Sequence, residues 1–192
     1  MSTAELTTYT ADDLLQMPNG DRYELLGGRL VEKEMGTRAS WIAGALHTQL
    51  NIYSERGMRG WAFTAEAGIQ CFADEPQKVR RPDVFFVCRG RFENEQIPEG
   101  FTRIPPDVAA EVISPNDLYY AVDDKVEEYL DAGIRLVWVV NPKTRTVTVH
   151  RGRGGDPSRL GEEDELTGDD VLPDFRCRVA DLFPQVPGAS SV

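Results

Sequence analysis

Apolar positions recur along this chain at two spacings, and the changes from one to the other mark out its elements. Between residues 39 and 56, Trp41, Ile42, Ala45, Leu46, Leu50 and Tyr53 fall at intervals of three and four, which predicts the main core helix. A shorter helix is predicted near the start. Thr10 with Asp12 and Asp13 is an N-terminal cap signal, Leu14, Leu15 and Met17 supply an apolar face, and Pro18-Asn19-Gly20 stops it. Next, RYELLGGRLVEKE reads as a hairpin, two alternating runs around Gly27-Gly28. Strand character then recurs over 61–72, 81–88 and 107–113, the last two separated by a long loop that holds three prolines and two glycines between 90 and 106. Ser114-Pro115-Asn116-Asp117 precedes a second helix, which runs to about Asp131 and ends at Gly133. Two strands, 136–141 and 146–151, flank Pro142-Lys143-Thr144, and a short helix at 179–183 closes the pattern. This order of helix, hairpin, helix, strands, helix and strands is that of an α/β (α+β) protein with a mixed central sheet and helices on its faces. With no internal repeat or linker, residues 1–192 are expected to be a single domain with its core at about 10–183.

Composition adds three constraints. A chain of 192 residues that is 41% hydrophobic is long enough to bury a core without disulfides. No apolar run approaches the roughly 18 residues of a membrane span, and the opening MSTAELTTYTADDLLQM lacks the blocks of a signal peptide, so a cytoplasmic protein is expected. Cys71, Cys88 and Cys177 are odd in number and widely spaced, which favours buried thiols over bridges, and with only two histidines there is little to build a zinc site. The net charge of −11 argues against a general nucleic-acid coat. It is unevenly spread: residues 156–175 hold eight acids, whereas Lys143, Arg145, Arg151 and Arg153 form a basic strip that would steer a phosphate backbone or simply be the solvated face of a hairpin.

Three acids stand out because each is alone among apolar strand residues: Glu24 in YEL, Asp83 in RRPDVFFVC, and Glu111 in DVAAEVI. A carboxylate in such surroundings is costly unless a cation or hydrogen bonds meet it. If Asp83 and Glu111 lie on neighbouring strands, they can converge on one hard divalent cation. Lys125, fourteen positions after Glu111 on the second helix, can point back over the strand end, with Tyr129 on the same face one turn later. A solvated salt bridge with Asp124 or Glu128 is the plainer reading of the same lysine. His47, on the core helix, reads as a packed and hydrogen-bonded residue more readily than as a general base.

Taken together and in order, RYELLGGRLVEKE, the helix with His47, RRPDVFFV, DVAAEVISPND, KVEEYLDAGI and VWVVNP resemble the Uma-type restriction endonucleases of the PD-(D/E)xK superfamily, over roughly residues 10–183. The resemblance implies a restriction-endonuclease-like mixed sheet with an N-terminal hairpin. It also implies hydrolysis of DNA phosphodiesters dependent on Mg2+, with Mn2+ as substitute. Asp83 and Glu111 match its metal ligands, the Val112 carbonyl a further ligand, and Glu24 the additional acid that would hold a second metal or a metal-bound water. In the superfamily signature a lysine stands two residues after the second acid, but here that position is Ile113. The resemblance transfers its work of orienting water and stabilising charge to Lys125. Tyr129 and Ser114 fall in supporting positions, and Arg80, Arg81 and the basic strip are the candidates for nucleic-acid contact. Two alternatives stay open: a non-catalytic dimeric or regulatory module on a nuclease fold, for which a homodimer is considered, and a hydrolase of some other phosphate ester.

Overall fold

The computed structural model describes residues 7–114 and 119–185. At its centre is a six-stranded sheet in the order β3-β4-β5-β6-β7-β8, formed by Gly60–Thr64, Val84–Cys88, Val108–Val112, Leu136–Asn141, Thr146–Arg151 and Ser158–Leu160. Every neighbouring pair is antiparallel except β5 and β6, which run parallel and are joined through helix α3, Tyr119–Asp131. A parallel pair needs such a crossover, and the helix it supplies covers one face of the sheet. On that face, Phe85, Val87, Ala109, Val137 and Val139 pack with Val126, Tyr129 and Ile134. On the other, helix α2, Thr37–Glu55, lays Ile42, Leu46, Leu50 and Tyr53 against Val84, Phe86, Ala110 and Trp138. Burial on both sides is why VFFVC in β4 is a continuous apolar run and not an alternating one.

The remaining elements frame this core. Helix α1, Ala11–Gln16, starts with a capping box in which Thr10 and Asp13 exchange side-chain and backbone hydrogen bonds, as its sequence predicts. Strands β1, Tyr23–Leu26, and β2, Arg29–Glu32, form the expected hairpin, and Gly27 and Gly28 take φ of +55° and +74°, the positive values that a tight two-residue turn requires. No strand was foreseen in the acidic stretch, yet β8 extends the edge of the central sheet there and a separate two-stranded sheet follows it. Strands β9, Glu165–Gly168, and β10, Leu172–Arg178, pair with each other and bring Phe175, Cys177 and Leu166 under the α2 face.

Several boundaries differ from the sequence reading. The run predicted as a strand over 61–72 stops at Thr64 in a turn, after which Ile69 makes only single bridges to Arg80 and Thr102. Asp83 stands one residue before β4, not inside it. The closing helix is a single 3-10 turn, Val179–Leu182. The start signal of the second helix, Pro115-Asn116-Asp117, lies outside the described residues. No helix among the described residues is long and apolar enough to cross a membrane.

Candidate active site

Four separate segments meet at one end of the sheet on the α3 face. The register of β4 on β5 pairs Val84 with Ala110, so Asp83, one step earlier, stands across from Glu111, one step later. Directly opposed residues on antiparallel strands share a face. The segment leading into β4 is fastened to the hairpin by reciprocal hydrogen bonds between Leu25 and Val79, 2.9 and 3.0 Å, and this brings Glu24 beside Arg80 and Arg81. Helix α3 contributes Lys125, Glu128 and Tyr129, and the chain just beyond β2 contributes Lys33. Asp83, Glu111, Glu24, Lys33, Arg80, Val112, Lys125 and Ser114 line a common pocket of about 330 Å³, with Ile113 at its wall.

Each acid is held by identifiable donors. The Val112 N–H donates to Asp83 Oδ2 at 2.6 Å, and Lys33 Nζ lies 2.7 Å from Asp83 Oδ1. Glu111 accepts the Tyr129 hydroxyl at Oε1, 2.7 Å, while Lys125 Nζ lies 3.3 Å and Lys33 Nζ 3.9 Å from its Oε2. Glu24 accepts from Arg80 Nη1 at 2.8 Å and from the Arg81 N–H at 3.0 Å, and Lys125 Nζ is 3.3 Å from its Oε1. Lys125 therefore bridges Glu24 and Glu111. Arg80 in turn grips Glu128 of α3 through Nε and Nη2, 2.7 and 2.9 Å, which ties the helix to the strand entry.

These contacts separate the acids electrostatically. Burial would raise the Glu24 carboxyl, but Lys125, Arg80 and Lys33 together with the Arg81 N–H overcome it and hold it at about 2. For Asp83 the balance falls the other way. Burial pushes this carboxyl up, Glu111 adds to the push, and Lys33 and the Val112 N–H offset only part of it. Burial would lower the Lys125 ammonium, yet Glu111 and Glu24 raise it above the ordinary lysine value, so it stays charged. Burial, then Glu111 and Glu24, push the Tyr129 phenol well up, which keeps it a hydrogen-bond donor.

The structure thus brings together Asp83, Glu111, Glu24, Lys125, Tyr129, Val112 and Ser114 from the sequence-predicted set, and leaves others apart. His47 sits on α2 beside Asn51, whose amide nitrogen is 3.2 Å from Nδ1, and it is not among the residues of the pocket wall. Arg80 and Arg81 were expected at a nucleic-acid surface, but both are buried, and their guanidinium groups are committed to the protein. Arg81 donates to the carbonyls of Tyr23, Glu66 and Gly20. The basic strip is divided between the two ends of the β6–β7 hairpin, and most of its charge is matched by acids: Arg145 by Glu162, Arg151 by Asp169 and Arg153 by Asp131. Sequence reasoning missed Lys33 and Glu128 as members of the cluster. In VEKE and KVEEY they look like any solvated charges, and only the long-range pairing of hairpin, strand entry and helix draws them inward.

The donor set suits a hard cation. Asp83 and Glu111 present oxygen ligands from a rigid pair of strands, and the Lys33 ammonium placed between them is a stand-in for positive charge at that point. Among the described residues no three His, Cys, Asp or Glu side chains form a ready metal cluster, so water would complete the coordination.

Comparison with known proteins agrees with the architecture. A solved structure described as a "putative nuclease belonging to DUF820" from Anabaena variabilis ATCC 29413 superposes with a TM-score of 0.75 at 21% identity, over 91% of this chain and 97% of that one. No curated protein sequence matches the chain. The family model Uma2, described as "Putative restriction endonuclease", matches residues 11–180, and the chain belongs to that family.

Proposed function

We propose that the protein is a metal-dependent endonuclease that hydrolyses DNA phosphodiester bonds at Asp83, Glu111 and Lys125. The observation that carries this reading is the opposition of Asp83 and Glu111 across β4 and β5, with the Lys125 ammonium 3.3 Å from Glu111. Asp83 and Glu111 would hold Mg2+, or Mn2+ in its place, with the Val112 carbonyl as the third oxygen. The ion would supply Lewis acidity toward the phosphate and its attacking water. The Val112 N–H fixes the rotamer of Asp83, and Tyr129 fixes that of Glu111. Lys125, permanently cationic between two carboxylates, orients the water and meets the charge that develops on the phosphoryl oxygens. Glu24 has both oxygens engaged by Arg80, Arg81 and Lys125, so in this reading it positions Lys125, and one metal ion is favoured over two.

Lys125 takes over the position that Ile113 has vacated. Ile113 lies at the pocket wall with its N–H on the Val140 carbonyl, whereas the Lys125 ammonium reaches Glu111 from the helix above. A non-catalytic module is the second reading, and the specific observation in its favour is that Lys33 already neutralises the two carboxylates. Nicking of supercoiled plasmid in Mg2+ or Mn2+ decides between them. Cleavage by the wild type that is abolished by chelator, by Glu111→Ala and by Lys125→Met supports the nuclease. Equal residual cleavage by all three proteins identifies a contaminant and removes this reading.

A further inference from the structure

Lys33 is a cation in direct contact with Asp83 that no step of the proposed hydrolysis uses. Its side chain is only 13% exposed, although lysine is among the residues least often buried. Its Nζ donates to the Arg81 carbonyl, lies 2.7 Å from Asp83 Oδ1, and is 3.9 Å from Glu111 Oε2. The ammonium therefore sits between the two carboxylates, on the oxygens that a shared metal ion would need. The other oxygen of Asp83, Oδ2, already accepts the Val112 N–H.

We propose that Lys33 is a tethered cation that occupies the Asp83–Glu111 metal position in the metal-free protein and must withdraw before a divalent ion binds there. This rests on the metal site proposed above. A Mg2+–oxygen distance of about 2.1 Å on Asp83 Oδ1 leaves no room for an ammonium on the same lone pair, and the two positive charges repel at such range. Withdrawal is sterically easy. Lys33 follows β2, whose residues are exposed or half-buried and which among the described residues pairs only with β1, so its side chain can swing to solvent while the central sheet stays still. The hairpin backbone is anchored meanwhile by the Lys33 N–H on the Arg22 carbonyl, 2.8 Å. Until it leaves, Lys33 meets the charge of two buried carboxylates that would otherwise repel each other in the empty site. The cost appears as weaker metal affinity, which makes Lys33 a determinant of how much free metal the protein needs.

Mn2+ titration by calorimetry, on wild type, Lys33→Met, Lys33→Arg and Lys33→Met/Asp83→Asn, tests this, with circular dichroism confirming that each is folded. The expected result is a dissociation constant at least about tenfold lower for Lys33→Met than for wild type, no tightening in Lys33→Arg, and loss of binding in the double variant. A second readout follows the amine itself: Lys33 should be reductively methylated slowly in chelator and faster at saturating Mg2+. Equal or weaker binding by Lys33→Met, with binding still lost in the double variant, overturns the inference and leaves the metal site standing, as does methylation indifferent to metal. Absence of binding in every folded protein, or binding that survives in the double variant, overturns the metal site at Asp83 and the inference with it. Should Lys33→Met fail to fold, Lys33→Gln gives the same comparison.

Discussion

Arg80 is expected to be the most sensitive residue of the cluster outside the proposed metal ligands. It joins Glu24 on the hairpin to Glu128 on α3 through three charge-assisted hydrogen bonds of 2.7 to 2.9 Å. In Arg80→Met the Glu24 carboxylate, 3% exposed, would keep only Lys125 and the Arg81 N–H. Removing one partner of a buried pair costs about 3–5 kcal/mol, because the other charge is left unpaired. The Glu128 half adds at most about 1 kcal/mol, since that side chain is 26% exposed and Lys78 remains 3.2 Å away. We therefore expect a loss near the middle of that range, about 4 kcal/mol, which for a chain of this length lowers the melting midpoint by roughly 8–16 °C. Arg80→Lys should lose about half as much, because one ammonium cannot serve the planar fork to Glu128 and the contact to Glu24 together. Thermal unfolding followed by circular dichroism at neutral pH in chelator measures both. A shift below about 3 °C in Arg80→Met would mean that Lys125 alone satisfies Glu24 and that the brace described here carries no weight. A double-mutant cycle with Glu24→Gln isolates the pair, with a coupling of at least about 1 kcal/mol expected.

Three further outcomes follow from the same geometry. Because Glu24 is held at about 2 against an ordinary value of 4.5, its contribution to folding is complete above pH 4.5 and is lost as pH falls toward 2. The size of that contribution is ~3 kcal/mol, so in chelator the Glu24→Gln variant should show a shallower acid limb than wild type in denaturant titrations, and parallel limbs would contradict it. Tyr129→Phe removes the 2.7 Å hydrogen bond to Glu111 with almost no change of shape, and should cost about 2 kcal/mol in urea unfolding; an unchanged midpoint would show that the hydroxyl has no net worth. Burial pushes the Cys71, Cys88 and Cys177 thiols up to about 12, so at pH 8 all three, the half-buried Cys71 and Cys88 included, should react with a disulfide reagent far more slowly than free cysteine, and prompt labelling of any one would refute its inertness.

What could be read from the sequence was whatever local chemistry fixes. The capping box at Thr10, the Gly27-Gly28 turn, the β4 run and the helix with Lys125 are set by neighbours within a few positions. The two central acids were legible for a different reason, since an ionisable residue inside a β-type apolar run is an anomaly that demands a partner. Strands β9 and β10 escaped because their pairing carries a register shift between Leu172 and Arg176, and Asp174 sits there at φ +66°. The buried positions Leu172, Phe175 and Cys177 consequently come at intervals of three and then two, which conceals the period of a strand. Lys33 and Glu128 escaped, and Arg80 was read as a nucleic-acid contact, because nothing local distinguishes a charged side chain destined for a buried partner from one facing water. Their environment exists only after hairpin, strand entry and α3 have met.

The same meeting explains how an acidic protein can be suited to a phosphate. At the centre of the site, Glu24, Asp83 and Glu111 stand against Lys33, Arg80 and Lys125, three negative charges and three positive, so these six inner groups balance one another, while the exposed Glu32, Glu34 and Asp124 keep the rest of the pocket wall acidic. In the proposed reading, exchange of the Lys33 ammonium for a divalent ion leaves the inner groups with one excess positive charge, and one phosphodiester cancels it. Metal and nucleic acid should then bind with positive coupling, each raising the affinity of the other by the same factor. Short duplex DNA added to the folded Glu24→Gln variant, which keeps both proposed metal ligands, would test the charge argument from the opposite side. That variant begins one negative charge poorer, so DNA should need less metal to bind it, and an unchanged metal requirement would show that charge balance does not govern the site.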